Sequence, residues 1–217
     1  MDLDTRATFI ARTYGHLFGA IAFFTTIEIA LFKLGFAEQI FQAVAGNWLI
    51  AFGGFMIFSW LASRTAMNAR SMPAQYLALG GFVLLEAIIF VPLLYVADSI
   101  APGAISSAAI VTLGGFAGLT FIAFWTRKDF SFLGGVLRFA LFAALLAIVA
   151  GMIFGFQLGT WFSVGMVVIA GAAILYDTSN IMHHYPEDRY VAASLGLFSS
   201  VALMFWYVLQ LFMASRD

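Results

Sequence analysis

Residues 76–96 read YLALGGFVLLEAIIFVPLLYV, a run of 21 residues in which Glu86 is the one charged side chain. At about 1.5 Å of rise per residue the run makes a helix of ~31 Å, which matches the roughly 30 Å hydrocarbon layer of a bilayer. Helix is required over strand, because a segment in lipid must satisfy its own backbone hydrogen bonds and this one is about twice the length of a barrel strand. Carried outward, the same scan predicts spans at about 14–34, 46–62, 76–96, 104–125, 133–154, 158–179 and 191–212, joined by connections of about 4 to 14 residues. The sequence thus reads as an all-α integral membrane protein with seven transmembrane helices, one domain over residues 1–217 and no soluble module.

Composition agrees. The 217 residues are 63% hydrophobic and 10% charged, and the mean hydropathy is +1.00. A soluble domain carries roughly 25% charged residues, so this inventory cannot build a water-facing surface. The absence of cysteine rules out disulfides, thiolate metal sites and cysteine nucleophiles. A net charge of −1 gives no footprint for a nucleic-acid partner. The opening residues, Met1 to Arg12, are polar and carry Asp2, Asp4, Arg6 and Arg12, unlike a cleavable signal peptide, so the first span is expected to direct its own insertion.

Arg6 and Arg12 precede span 1, Arg64 and Arg70 follow span 2, Arg127 and Lys128 follow span 4, and Arg189 precedes span 7. All fall on one side, whereas the other receives Lys33 and Arg216. The excess of basic residues on cytoplasmic loops then predicts a cytoplasmic N-terminus and an outside C-terminus. Glycine pairs at Gly53-Gly54, Gly80-Gly81, Gly114-Gly115 and Gly134-Gly135, with the four-residue spacings Gly15/Gly19, Gly114/Gly118 and Gly151/Gly155, predict close helix packing.

Ionisable groups inside such spans are costly, by at least about 2.5–3.5 kcal/mol on insertion scales, and are expected to face the protein interior or a water-filled cavity. The candidates are His16, Glu28, Glu86, Arg138 and Asp177. Glu86 lies halfway along its span, six residues before Pro92, as in a broken helix on a cation or proton route; a neutral Glu86 bonded to a neighbouring helix is the alternative. Glu28, one turn before Lys33, reads as snorkelling to the outer interface. Arg138 reads as a headgroup anchor and His16 as a packing histidine. Asp177 ends span 6 in Leu175-Tyr176-Asp177-Thr178-Ser179-Asn180-Ile181, a polar cluster where desolvation and a nearby arginine would act on its charge in opposite senses. It is a candidate gate or pH sensor, with helix capping as the alternative. The loop His183-His184-Tyr185-Pro186-Glu187-Asp188 reads as a solvated loop, because Pro186 breaks the spacing a metal site would need. No metal, cofactor or catalytic residue is assigned; zinc-binding His-Glu-x-x-His and nucleophile motifs are absent from the spans.

These residues resemble the Bax inhibitor-1 family of multi-pass membrane proteins nearly end to end. The most specific part is 175–181, followed by a short charged loop and a last helix with Ala-Ala-Ser-Leu at 192–195. A second stretch, Thr126-Arg127-Lys128-Asp129-Phe130-Ser131-Phe132-Leu133-Gly134-Gly135, and the ending Ala214-Ser215-Arg216-Asp217 resemble the bacterial YccA-like branch. The resemblance implies six helices around a central seventh, here 191–212, and offers two functions. In some members a pair of aspartates bridged to an arginine closes a pH-sensitive calcium leak. Asp177 matches the first aspartate, Arg64 is a match for the arginine, and Ser200 or Ser199 stands in place of the second aspartate. One carboxylate facing a serine lacks the repulsion of two sharing a proton, so a shallower pH response is expected. Calcium or protons would meet Asp177 and Glu86 on that reading. The YccA-like branch instead modulates the membrane-bound ATP-dependent AAA protease of the bacterial inner membrane, with the N-terminal tail, here about Met1 to Thr13, as the handle.

Overall fold

The computed structural model of the chain describes residues 3–215. Met1, Asp2, Arg216 and Asp217, which entered the charge and motif readings above, lie outside the described residues. Among the described residues there are eight helices: α1 (Leu3–Lys33), α2 (Phe36–Ala45), α3 (Trp48–Asn68), α4 (Met72–Ile100), α5 (Ala104–Thr126), α6 (Leu133–Phe154), α7 (Gly159–His183) and α8 (Tyr190–Ala214). All but α2 are long and apolar enough to cross a membrane. Large apolar side chains stand on the outside, among them Trp161, Trp125 and Phe154. That is the surface expected where the solvent is acyl chain.

Three boundaries differ from the sequence reading. The helix of the first span begins at Leu3, so the polar stretch before residue 14 is its first turns. The second span is not short: α3 runs to Asn68 and carries Arg64 within it. Its polar last turns hid it from a search for apolar residues. Helix α4 continues through Pro92 and is not broken there. Proline withholds an N–H from the carbonyl four residues back and crowds it, and in lipid-embedded helices neighbours and local adjustments can absorb that loss.

The short α2 was not foreseen. Its Ala37 and Val44 are buried, and Phe41 stacks on Tyr95 at 5.0 Å, while Glu38, Gln39 and Gln42 lie outside. A left-handed Gly35 (φ 77°) turns the chain from α1 into it, a conformation open to glycine at no Cβ cost.

The helices pack as two compact units, one comprising the chain to Val96 with Tyr185–Phe198, the other Ala97–His184 with the chain from Ser199. In the first, Phe82 meets Phe55 and Phe198, and Phe24 meets Phe90 edge-on at 5.2 Å. Two of the basic residues that set the predicted orientation also tie this unit at one end. Arg6 Nη1 donates to the Tyr185 carbonyl at 2.9 Å and Arg189 Nη1 to the Ala69 carbonyl at 2.7 Å. In the second, Ala144, Met166 and Tyr207 form an apolar cluster, and Ser163 Oγ donates to Gln210 Oε1 at 3.0 Å. Burial is highest along α4, where 61% of the span window is inside, and next along α8, at 50%.

The glycines divide into filled and open positions. A Cβ built on Gly134 would stand 2.8 Å from the Tyr176 ring, one on Gly171 3.3 Å from Leu119, and one on Gly115 3.5 Å from Met204. Close packing is therefore the role of these three. A Cβ on Gly15, Gly19 or Gly80 would meet nothing within 4 Å. At these positions, in the first unit, the expected close packing does not occur.

Candidate functional site

In the second unit, the C-terminal turns of α7 carry the polar cluster read from the sequence. Asp177 is partly buried there, flanked by the fully buried Thr178 and Ser179. Ser200 of α8, itself buried, donates its hydroxyl proton to Asp177 Oδ2 at 2.5 Å. Hydrogen bonds to a carboxylate are short and strong where donor and acceptor are preorganised. A carboxylate and a hydroxyl that stand 23 residues apart in sequence are thus brought together. Of the two serines weighed from the sequence, it is Ser200 that faces the carboxylate.

Ser179, two residues on, turns to the loop between α5 and α6. Its Oγ accepts from the Phe130 amide at 2.8 Å and donates to Asp129 Oδ1 at 3.3 Å. Asp129 Oδ1 also accepts from the Ser131 amide at 2.8 Å, and Oδ2 lies 2.9 Å from His184 Nε2. The Ser131 backbone and side chain, and then His184, hold the Asp129 carboxyl well below the usual carboxylate range. Arg127 enters this loop in the left-handed region, φ 50°, a strained setting for a side-chain-bearing residue. The Tyr176 ring covers Gly134. The two sequence motifs, 126–135 and 175–181, are therefore two halves of one clasp. Asp129 had been quoted only as part of a motif. Its partners lie 50 and 55 residues away, and no local signal announces them.

Arg64 is exposed, its guanidinium 5.1 Å over the ring of Trp60 one turn earlier on α3. Arg138 is exposed too, and its Nε donates to the Gly134 carbonyl at 3.2 Å, so it does not face the protein interior. His16 is partly buried against Tyr76, with Nε2 to Oη at 2.9 Å. Glu86 is buried, and its Oε2 has no hydrogen-bond partner among the described residues. Glu28 is buried as well, with both carboxyl oxygens unpartnered. The snorkelling reading of Glu28 is corrected by its register. Phe9, Thr13, Leu17, Ala20 and Glu28 follow one buried stripe of α1 at helical spacing, so the side chain points inward despite the nearby Lys33.

What fold and site define is a seven-span membrane protein with carboxylates inside its helices and a polar clasp at one end of α7. A family model described as "Inhibitor of apoptosis-promoting Bax1" matches residues 6–217, and the chain belongs to this Bax inhibitor-1 family. It is 29% identical over 213 residues to Bax inhibitor 1 of Schizosaccharomyces pombe, covering 95% of this chain and 76% of that protein. It is 37% identical over 94 residues to the "Modulator of FtsH protease YccA" of Escherichia coli, covering 42% of each. An uncharacterized Pseudomonas aeruginosa protein is 38% identical over 111 residues. The alignment covers 49% of that bacterial protein, so it and YccA are matched over half their length or less.

Proposed function

We propose that this protein is a bacterial inner-membrane modulator of the membrane-bound ATP-dependent AAA protease, with its N-terminus in the cytoplasm. The observation that carries the reading is the clasp: the residues that resemble the YccA-like branch, 126–135, are bonded to the family motif at 175–181. The partial match to YccA, named a modulator of FtsH protease, supports the same partner. A processive protease must grip a chain end and pull. Here residues 3–13 are helical, Phe9 and Thr13 are buried, and Arg6 is bonded to the Tyr185 carbonyl. This segment, the expected handle, offers a grip only after local unfolding, so the protein would occupy the enzyme longer than it feeds it. Co-purification of the intact protein with the protease, with and without residues 1–13, tests this; no association in either case refutes it. Loosening the end by Arg6→Ala with Phe9→Ala should shorten the protein's half-life in cells that contain the protease and leave it unchanged in cells that lack it.

A second reading, a cation leak, is favoured by one observation, the unpartnered Oε2 of buried Glu86 in the middle of α4. Intramembrane carboxylates are costly to keep and mark ion and proton routes in membrane proteins. On this reading Asp177 and Ser200 form the gate, and Ser200 replaces a second acid. Calcium flux into proteoliposomes discriminates the two readings: the leak loses its mechanism if Asp177→Asn and Glu86→Gln leave both the flux and its pH dependence as in the wild type.

A further inference from the structure

Three open glycines of the first unit line a cavity. Between α1 and α4 lies a hollow of about 400 Å³ walled by Gly15, Gly19 and Gly80, with Phe23 and Val83 toward its far end. That volume lies within the roughly 300–1,000 Å³ range of small-molecule sites. Its mouth is polar. The His16 ring has Nδ1 2.7 Å from the Arg12 carbonyl, so Nδ1 carries the proton and donates to it. In the neutral ring Nε2 then accepts from the Tyr76 hydroxyl at 2.9 Å. Beside this pair the exposed Arg12 holds its guanidinium carbon 5.6 Å from the centroid of the Tyr190 ring. A cation–π contact consumes none of the guanidinium N–H donors. Within this unit, and among the described residues, no carboxylate forms an ion pair with Arg12.

Depth fixes what the hollow suits. From Arg12 to Lys33 is 21 residues of continuous α1, or ~31 Å, the thickness of the hydrocarbon layer. The two cations therefore mark its two faces. From Arg12 to Phe23, the reach of the hollow along α1, is ~16 Å, or about one leaflet. A partner helix would need a seam across both leaflets, whereas one acyl chain needs only this. We propose that the α1–α4 hollow is a binding site for an anionic glycerophospholipid, with one acyl chain over Gly15, Gly19 and Gly80 and the headgroup phosphate on the Arg12 guanidinium. Guanidinium and phosphate match as a two-pronged, charge-assisted pair.

The test uses the purified full-length protein in detergent, titrated with phosphatidylglycerol or phosphatidylcholine and read by native mass spectrometry. The wild type should retain phosphatidylglycerol in preference. Arg12→Ala should weaken that retention about tenfold, and Gly19→Leu or Gly80→Val, which fill the hollow from opposite walls, should weaken it similarly. Lys128→Ala, which removes an exposed cation from a loop outside the hollow, should leave it unchanged. Wild-type protein irradiated with phosphatidylglycerol carrying a photoreactive acyl chain should label peptides that contain residues 12–23 or 76–83, a readout independent of variant folding. Labelling confined to other helices overturns the site. So does retention that survives both Arg12→Ala and Gly19→Leu, or glycine variants that change the oligomeric state and not the bound lipid, which would make the hollow a seat for a second copy.

Discussion

The two units contrast at their buried carboxylates and at particular glycines. In the second, Gly134 is covered by Tyr176, Asp177 receives Ser200, and the Asp129 carboxylate is surrounded by donors. In the first, Gly15 and Gly19 meet nothing, and Glu28 and Glu86 are buried with oxygens unpaired. A filled glycine and a paired carboxylate are structural devices whose removal costs stability. An open glycine and an unpaired buried carboxylate cost stability by being there, which is why the proposals above place lipid at the glycines and protons or cations at Glu86. The contrast teaches that a residue type in a span predicts little until its neighbour is known.

The contrast is sharpest, and most easily broken, at the carboxylates. Asp177→Ala strands the buried Ser200 hydroxyl and should destabilise by about 1–3 kcal/mol, read from unfolding in detergent, whereas Glu86→Leu removes an unsatisfied group and should be neutral or stabilising. Equal losses for the two would erase the distinction. Next come the glycines. Gly134→Ala drives a methyl against the Tyr176 ring and should cost about 1–3 kcal/mol, while Gly19→Ala, with open space and better helix propensity, should gain up to about 1 kcal/mol. A loss at Gly19 would mean that the hollow closes in the membrane.

The smallest effect concerns the Asp129 loop. Because its folded value is depressed, the stability Asp129 adds is present above the ordinary carboxylate value near 3.9 and is lost only as pH falls through the lower folded value. Amide exchange at Phe130 and Ser131 should therefore keep its protection from pH 7 down to about 5 once corrected for intrinsic rates, and Asp129→Ala should abolish it. Protection that fades by pH 5 in the wild type would show that the carboxylate does not hold the loop.

Reading the sequence located the spans because each is a long apolar run, and it found Asp177 because a polar cluster at the end of such a run stands out. It passed over α2, whose ten residues alternate apolar and polar faces and fall below the length sought for a span. It misjudged Glu28 because the nearby lysine outweighed a helical register that was already visible in Phe9, Thr13, Leu17 and Ala20. The clasp was out of reach, since Asp129 and His184 have nothing in common until two loops meet.

By itself, then, the sequence determined the solvent and the architecture of the chain. Hydropathy is local and additive, so a bilayer selects helices wherever about twenty apolar residues follow one another. Only the tertiary structure decided which carboxylates find a donor and which glycines are filled. Both depend on side chains tens of residues apart meeting within about 3 Å, and short-range energies of that kind are fixed by packing.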